Sequence, residues 1–162
     1  MKDKSSFRIY EPYRGFVNGR SSYFHNSISG YHAAKPKRMQ DIYDFYLSKN
    51  KFNVLSMLNV KYIVDLNENN ALSLRLNEEN LGDAWFIENI INVNNSNEEI
   101  LSLNDLNYSR DCLSKDLPNK TFTLSETDNI VLNSRKSNEL IYNYTAKSES
   151  FIVFSEAYYS KG

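Results

Sequence analysis

At 162 residues, with 41% hydrophobic and 24% charged side chains, the chain has the composition of an ordinary globular domain and can bury a sizeable core. Nineteen Lys and Arg against twenty Asp and Glu leave a net charge of −1, which excludes the basic surplus a general nucleic-acid binder needs. A single cysteine excludes an internal disulfide or a thiolate metal cluster, and no run approaches the roughly 20 apolar residues of a membrane-spanning helix.

Phe7-Arg-Ile-Tyr-Glu-Pro predicts a short strand that stops at Pro12, because proline cannot donate to a ladder. Asn18-Gly19 signals a turn. Residues 21–31 carry Tyr23, Phe24, His25 and Tyr31 without a clear period, which predicts an ordered loop with a short extended piece. After Pro36, which suits a first helical turn, Met39, Ile42, Tyr43 and Tyr46 recur at helical spacing. A helix is expected over about 36–49 and a shorter one over about 53–59, followed by a strand from Val60.

Residues 67–80 are polar apart from three leucines and predict a surface loop or hairpin. Ala84-Trp-Phe-Ile-Glu-Asn-Ile-Ile-Asn-Val predicts one strand buried on both faces. Ser96 with Glu99 has the form of a capping box and opens a helix expected over about 97–104. Four strands are expected from there on, near residues 121–124, 130–132, 139–145 and 151–154. In the third, Leu140, Tyr142 and Tyr144 take one face and Ile141, Asn143 and Thr145 the other. The predicted class is α+β. A mixed α/β portion with two or three short helices spans 1–108, and an antiparallel, incomplete β-sandwich spans 109–162, the two forming either separate portions or one compact domain.

Little in the sequence suggests a reaction. His25 and His32 are the only histidines and lack metal-ligand spacing. The pairs Glu78-Glu79 and Glu98-Glu99 read as a solvated loop and a helix cap, and no Gly-x-Ser-x-Gly turn or phosphate-cradling glycine loop occurs. No catalytic residue, cofactor or metal ligand is therefore assigned. The candidate ligand-facing surface is the aromatic loop and the helix start after it: Tyr23, His25, Tyr31, His32, Lys35 and Arg38.

Several phrases resemble one bacterial family. Asn26-Ser-Ile-Ser-Gly-Tyr-His-Ala-Ala-Lys-Pro-Lys-Arg-Met-Gln-Asp is similar to a Gly-Tyr-His-x-Ala-Lys motif leading into an Arg-x-Gln-Asp helix in the YfhO-type multipass membrane proteins. Asn53-Val-Leu-Ser-Met-Leu-Asn-Val-Lys-Tyr-Ile-Val resembles the family's next helix–strand unit, and Gly82-Asp-Ala-Trp-Phe-Ile its Asn-Ala-Trp-Phe strand. Val153-Phe-Ser-Glu-Ala-Tyr-Tyr resembles its Ser-Glu-x-Tyr-Tyr-Pro-Gly-Trp segment, with Ser160 and Lys161 where the proline falls.

The resemblance implies a soluble extracytoplasmic region, periplasmic or cell-surface, of a membrane glycosyltransferase-like protein, excised from a longer chain. Catalytic acids would then lie elsewhere in the parent, and further sandwich strands would follow. The expected function is that of a non-catalytic accessory domain. Its expected partners are the transmembrane portion of its own parent chain and a lipid-linked sugar or glycan, with no nucleic acid. The rival readings are a free-standing carbohydrate-binding β-sandwich module and an enzyme built around His25, His32 and Asp41.

Overall fold

The computed structural model of the chain describes residues 3, 5–31 and 35–157. Strand β1 (Arg8–Tyr10) ends where Glu11 and Pro12 end it, and it lies parallel to β2 (Val60–Leu66). β2 turns through residues 67–71 into β3 (Leu72–Leu76), an antiparallel hairpin, so the three-stranded sheet runs β1-β2-β3. Asn59 starts β2 from a left-handed backbone (φ 53°), a conformation asparagine tolerates better than most residues. Its carbonyl accepts from Arg8 N–H at 2.7 Å, and it is almost wholly buried.

Helix α1 (Arg20–Phe24) occupies part of the stretch expected to be a loop. Its five residues are too few to display a period. Helix α2 (Lys37–Phe45) is shorter than expected: Tyr46 leaves the helical region at φ −124°, and a single 3-10 turn, Leu47–Lys49, takes up the remainder. The second expected helix is likewise one 3-10 turn, Phe52–Leu55. Of the residues that helical spacing turns inward, Ile42 and Tyr46 are buried and Met39 and Tyr43 half-buried. Ile42, Tyr46, Val54 and Leu55 are buried with Tyr10, Phe16, Val60 and Ile63.

The chain divides by contact into two compact units, Met1–Gly82 and Asp83–Gly162. The division expected between residues 108 and 109 falls inside the second unit, where β5 (Asn89–Asn92) pairs in parallel with β6 (Asp111–Ser114) across that point. The long buried strand expected from residue 84 is two strands, β4 (Ala84–Ile87) and β5, broken at Glu88. The cause lies far away in sequence: Glu88 and Asn89 both donate their N–H to Arg110 O, at 2.6 and 2.9 Å, and Glu88 O accepts from Phe122 N–H at 2.7 Å. The Arg110 guanidinium also pairs with the Glu88 carboxylate. The two halves therefore take different partners.

Helix α3 (Ser96–Ser102) is capped one residue earlier than expected. Asn95 Oδ1 accepts from Asn97 and Glu98 N–H, both at 3.0 Å. Glu98, not Glu99, reaches back to Asn94 N–H at 2.8 Å, and that bond holds its carboxyl below the usual glutamate range.

The remaining strands are β7 (Lys120–Thr121), β8 (Asn129–Arg135), β9 (Leu140–Thr145) and β10 (Phe151–Phe154). They complete three small sheets, β10-β4, β6-β5-β7 and β8-β9, where an antiparallel, incomplete β-sandwich was expected from residue 109; β4 and β5 join from before that point, and β5 pairs β6 in parallel. The α+β class predicted from sequence is the class that folds. Leu140 and Tyr142 are half-buried and Ile141 and Asn143 exposed, as the period of two requires, but Tyr144, expected on the face of Leu140 and Tyr142, is exposed because the alternation ends before it. Arg135 ties the hairpin to β4-β10, donating to Asp83 Oδ1 at 3.0 Å and Glu156 Oε1 at 2.7 Å. The core of this unit is Ile87, Ile90 and Phe122, packed by Trp85, Cys112, Phe151 and Val153. No helix among the described residues is long and apolar enough to cross a membrane.

Burial in the first unit has a measurable signature. It pushes the Tyr10 hydroxyl up to about 12, with Tyr43 adding to the shift. In the unfolded chain this group ionises near 10. Between those values the folded state keeps a proton that the unfolded state has released, so the contribution present below pH 10 is lost as pH rises to 12. Two pKa units correspond to about 2–3 kcal/mol. Denaturant unfolding across this window should show a shallower decline for Tyr10→Phe than for the wild type, and parallel curves would refute the assignment.

Candidate functional site

Just after β1, Glu11 is a buried carboxylate on a basic stretch. It accepts from Tyr13 Oη at 3.0 Å and from Ser21 Oγ. The guanidiniums of Arg14 and Arg20 each come within 3.8 Å. Gly15, at φ 72°, reverses the chain after the Pro12–Arg14 turn and delivers Phe16 into the core.

α1 is oriented by the Ser21–Glu11 bond. At 100° per residue, a helix that turns Ser21 inward turns Tyr23 to the opposite side. Tyr23 is 84% exposed, and its ring meets that of Phe24 edge to face at 4.9 Å between centroids. Beside them lies a shallow cleft of about 430 Å³ lined by Ser5, Phe7, Ser22, Tyr23, Phe24, His25 and Asn26. The cleft floor is secured to β1, since Ile9 N–H donates to Asn26 O at 2.9 Å. Hydroxyls, an amide, an imidazole and ring faces are groups that hydrogen-bond and stack on a sugar.

The five described residues of the six proposed from sequence do not line one cleft. Tyr23 and His25 line the cleft together. Tyr31 is 82% exposed and follows Gly30, whose N–H is held by Phe16 O at 3.1 Å. Lys35 turns inward, its Nζ 3.6 Å from the Phe16 ring centroid and 3.3 Å from Phe16 O. Burial lowers its pKa. Phe16 also stacks on Tyr43, with centroids 4.6 Å apart and planes within 8°. Lys35 is therefore a brace between loop and α2. Arg38 is exposed in the first turn of α2. His32 lies outside the described residues.

Asp41 belongs to α2 and is not among the residues lining the cleft, so the triad of His25, His32 and Asp41 receives no support there. Among the described residues no group of three His, Cys, Asp or Glu side chains is placed to hold a metal ion. Burial and the neighbouring Asp111 push the Cys112 thiol up to about 11, which keeps it protonated and poorly nucleophilic at neutral pH.

Sequence reasoning missed Glu11, Phe16 and Arg20. A signal existed: Glu11 is the only acidic residue between Asp3 and Asp41. Comparison of the chain with models of known families, with curated proteins and with solved structures finds no match in any of the three.

Proposed function

We propose that this chain is a non-catalytic extracytoplasmic accessory domain of a bacterial membrane glycosyltransferase-like protein of the YfhO type. Its basic aromatic face would turn toward the transmembrane portion of the parent chain and a lipid-linked sugar. The observation that carries this reading is charge: residues 12–40 hold five Lys and Arg and no Asp or Glu, in a chain whose net charge is −1. Cations beside exposed tyrosines suit the phosphates and the interface of a lipid-linked donor.

The resembling phrases support the reading in a second way. Ala84 and Trp85 of one phrase, and Phe154 and Val153 that open another, are distant in sequence and pair across β4 and β10. Ser155 N–H closes the pair on Asp83 O at 2.9 Å. The competing reading, a free-standing carbohydrate-binding module, is favoured by one observation, the cleft beside Tyr23 and Phe24.

Two measurements test the proposal. The reading frame upstream of this segment should encode runs of about 20 apolar residues, and their absence would remove the membrane parent. In the parent protein, Arg38→Ala and Tyr23→Ala should reduce sugar transfer from a lipid-linked donor without moving the melting temperature. Unchanged transfer would overturn the role given to this face. Loss of soluble-oligosaccharide binding by Tyr23→Ala, with no effect of Arg38→Ala, would favour the binding module.

A further inference from the structure

β3 is the outer strand of its sheet and, among the described residues, is paired with β2 alone. The hydrogen bonds at the two ends of the hairpin fix which backbone groups are already used. Asn77 N–H donates to Lys61 O at 2.8 Å and Asn67 N–H to Ala71 O at 2.9 Å. Hydrogen-bonded and non-bonded pairs alternate along an antiparallel ladder, so Ser73 and Arg75 bond β2. The N–H and C=O of Leu72, Leu74 and Leu76 consequently point to the open edge.

The same three leucines share one face and are 52%, 64% and 50% exposed. Tyr62, Val64 and Leu66 of β2 stand opposite them and widen the apolar face. Neither proline nor bulge protects the strand, although natural edges commonly carry such devices.

The strand reads Leu-Ser-Leu-Arg-Leu, almost the same in either direction. We infer that β3 is the docking edge for a second copy of this chain, two β3 strands pairing antiparallel about a two-fold axis at Leu74. In that register Leu74 opposes the second copy's Leu74, and Leu72 opposes its Leu76. Every ladder bond uses a backbone group that points to the open edge, and the two apolar faces become continuous.

Charge fixes the register. On the other face Arg75 comes against the second copy's Ser73, and behind that serine stands Asp65, its partner across the hairpin. Serine is short, so the guanidinium, which lies 5.9 Å from the Phe52 ring centroid in the single chain, can swing from that ring over the serine to the carboxylate, twice by symmetry. An axis at Arg75 would instead set arginine against arginine, and an axis at Ser73 would leave Leu76 facing Asn70. The inference is independent of the proposed function.

Sedimentation velocity on the full chain tests it. The expected result is a reversible monomer–dimer equilibrium, the heavier species having twice the 18.9 kDa of the chain. Leu74→Lys places two ammonium groups together on the axis and should abolish the dimer while leaving unchanged the melting temperature read at concentrations where the wild type is monomeric. Asp65→Arg and Arg75→Asp should each raise the dissociation constant by about tenfold or more, and the double variant should recover the wild-type value. A monomer at every concentration, a dimer that survives Leu74→Lys, or a double variant that fails to recover would each overturn the inference.

Discussion

Replacing Ile87 by alanine is expected to destabilise the second unit by about 3 kcal/mol, lowering its thermal transition by roughly 10–20 °C. Ile87 is fully buried at the end of β4, in the cluster with Ile90 and Phe122. Truncation removes apolar surface from that cluster and leaves a void. Trp85, Cys112, Phe151 and Val153 are held by the ladders of β4, β6 and β10 and can collapse into it only in part. Every member of the cluster belongs to Asp83–Gly162. Hydrogen exchange should therefore quicken in β4, β5 and β10 and stay unchanged in β2. Equal acceleration in β2 would show that the two units unfold as one, and an unchanged melting curve would show that the site relaxes fully.

Glu11→Ala is expected to cost about 3 kcal/mol in the first unit. The carboxylate accepts from Tyr13 and Ser21 and faces two guanidiniums, so its removal leaves the buried Ser21 hydroxyl without an acceptor. It also leaves Arg14 and Arg20 without an opposing charge nearby. Glu11→Gln keeps the shape and one acceptor and should lose less. Since the Ser21 bond sets the rotation of α1, the alanine variant should also free the Tyr23–Phe24 pair, which the tyrosine side-chain resonances would report by averaging. Wild-type melting of Glu11→Ala would mean that the site is a solvated surface cluster, whatever its burial.

These expectations rest on contacts that the sequence disclosed unevenly. The inward face of α2 was legible because Met39, Ile42, Tyr43 and Tyr46 already state a period of 3.6. The alternation in β9 was legible for the corresponding reason. Periodicity is a local signal and fails where the cause is remote. The break at Glu88 is imposed by the Arg110 carbonyl, 22 residues on, and the inward turn of Lys35 by Phe16, 19 residues back. A one-turn helix such as α1 contains no repeat to detect, and the cap of α3 moved by one residue because asparagine and serine compete for the same role.

The candidate site was half legible. Exposed aromatics in a loop marked Tyr23 and His25, which do share a cleft. The buried acid that orients them was the exceptional charge in its stretch, yet its importance depends on the Ser21 bond that only folding creates. Asparagine has structural work in the folded chain that no motif announced: Asn50, Asn59 and Asn70 occupy left-handed positions, and Asn95 caps α3.

The indole of Trp85 donates to Tyr108 O at 2.9 Å inside the second unit's core, and it is the only tryptophan in the sequence. Emission excited at the red edge of aromatic absorption therefore comes from one half of the molecule. A fluorescence titration follows the unfolding of Asp83–Gly162 alone, while far-ultraviolet circular dichroism follows both units, since α1 and α2 lie in Met1–Gly82 and α3 in Asp83–Gly162. The chain carries its own two-colour readout, in which any gap between the optical midpoints measures how far the halves are thermodynamically uncoupled.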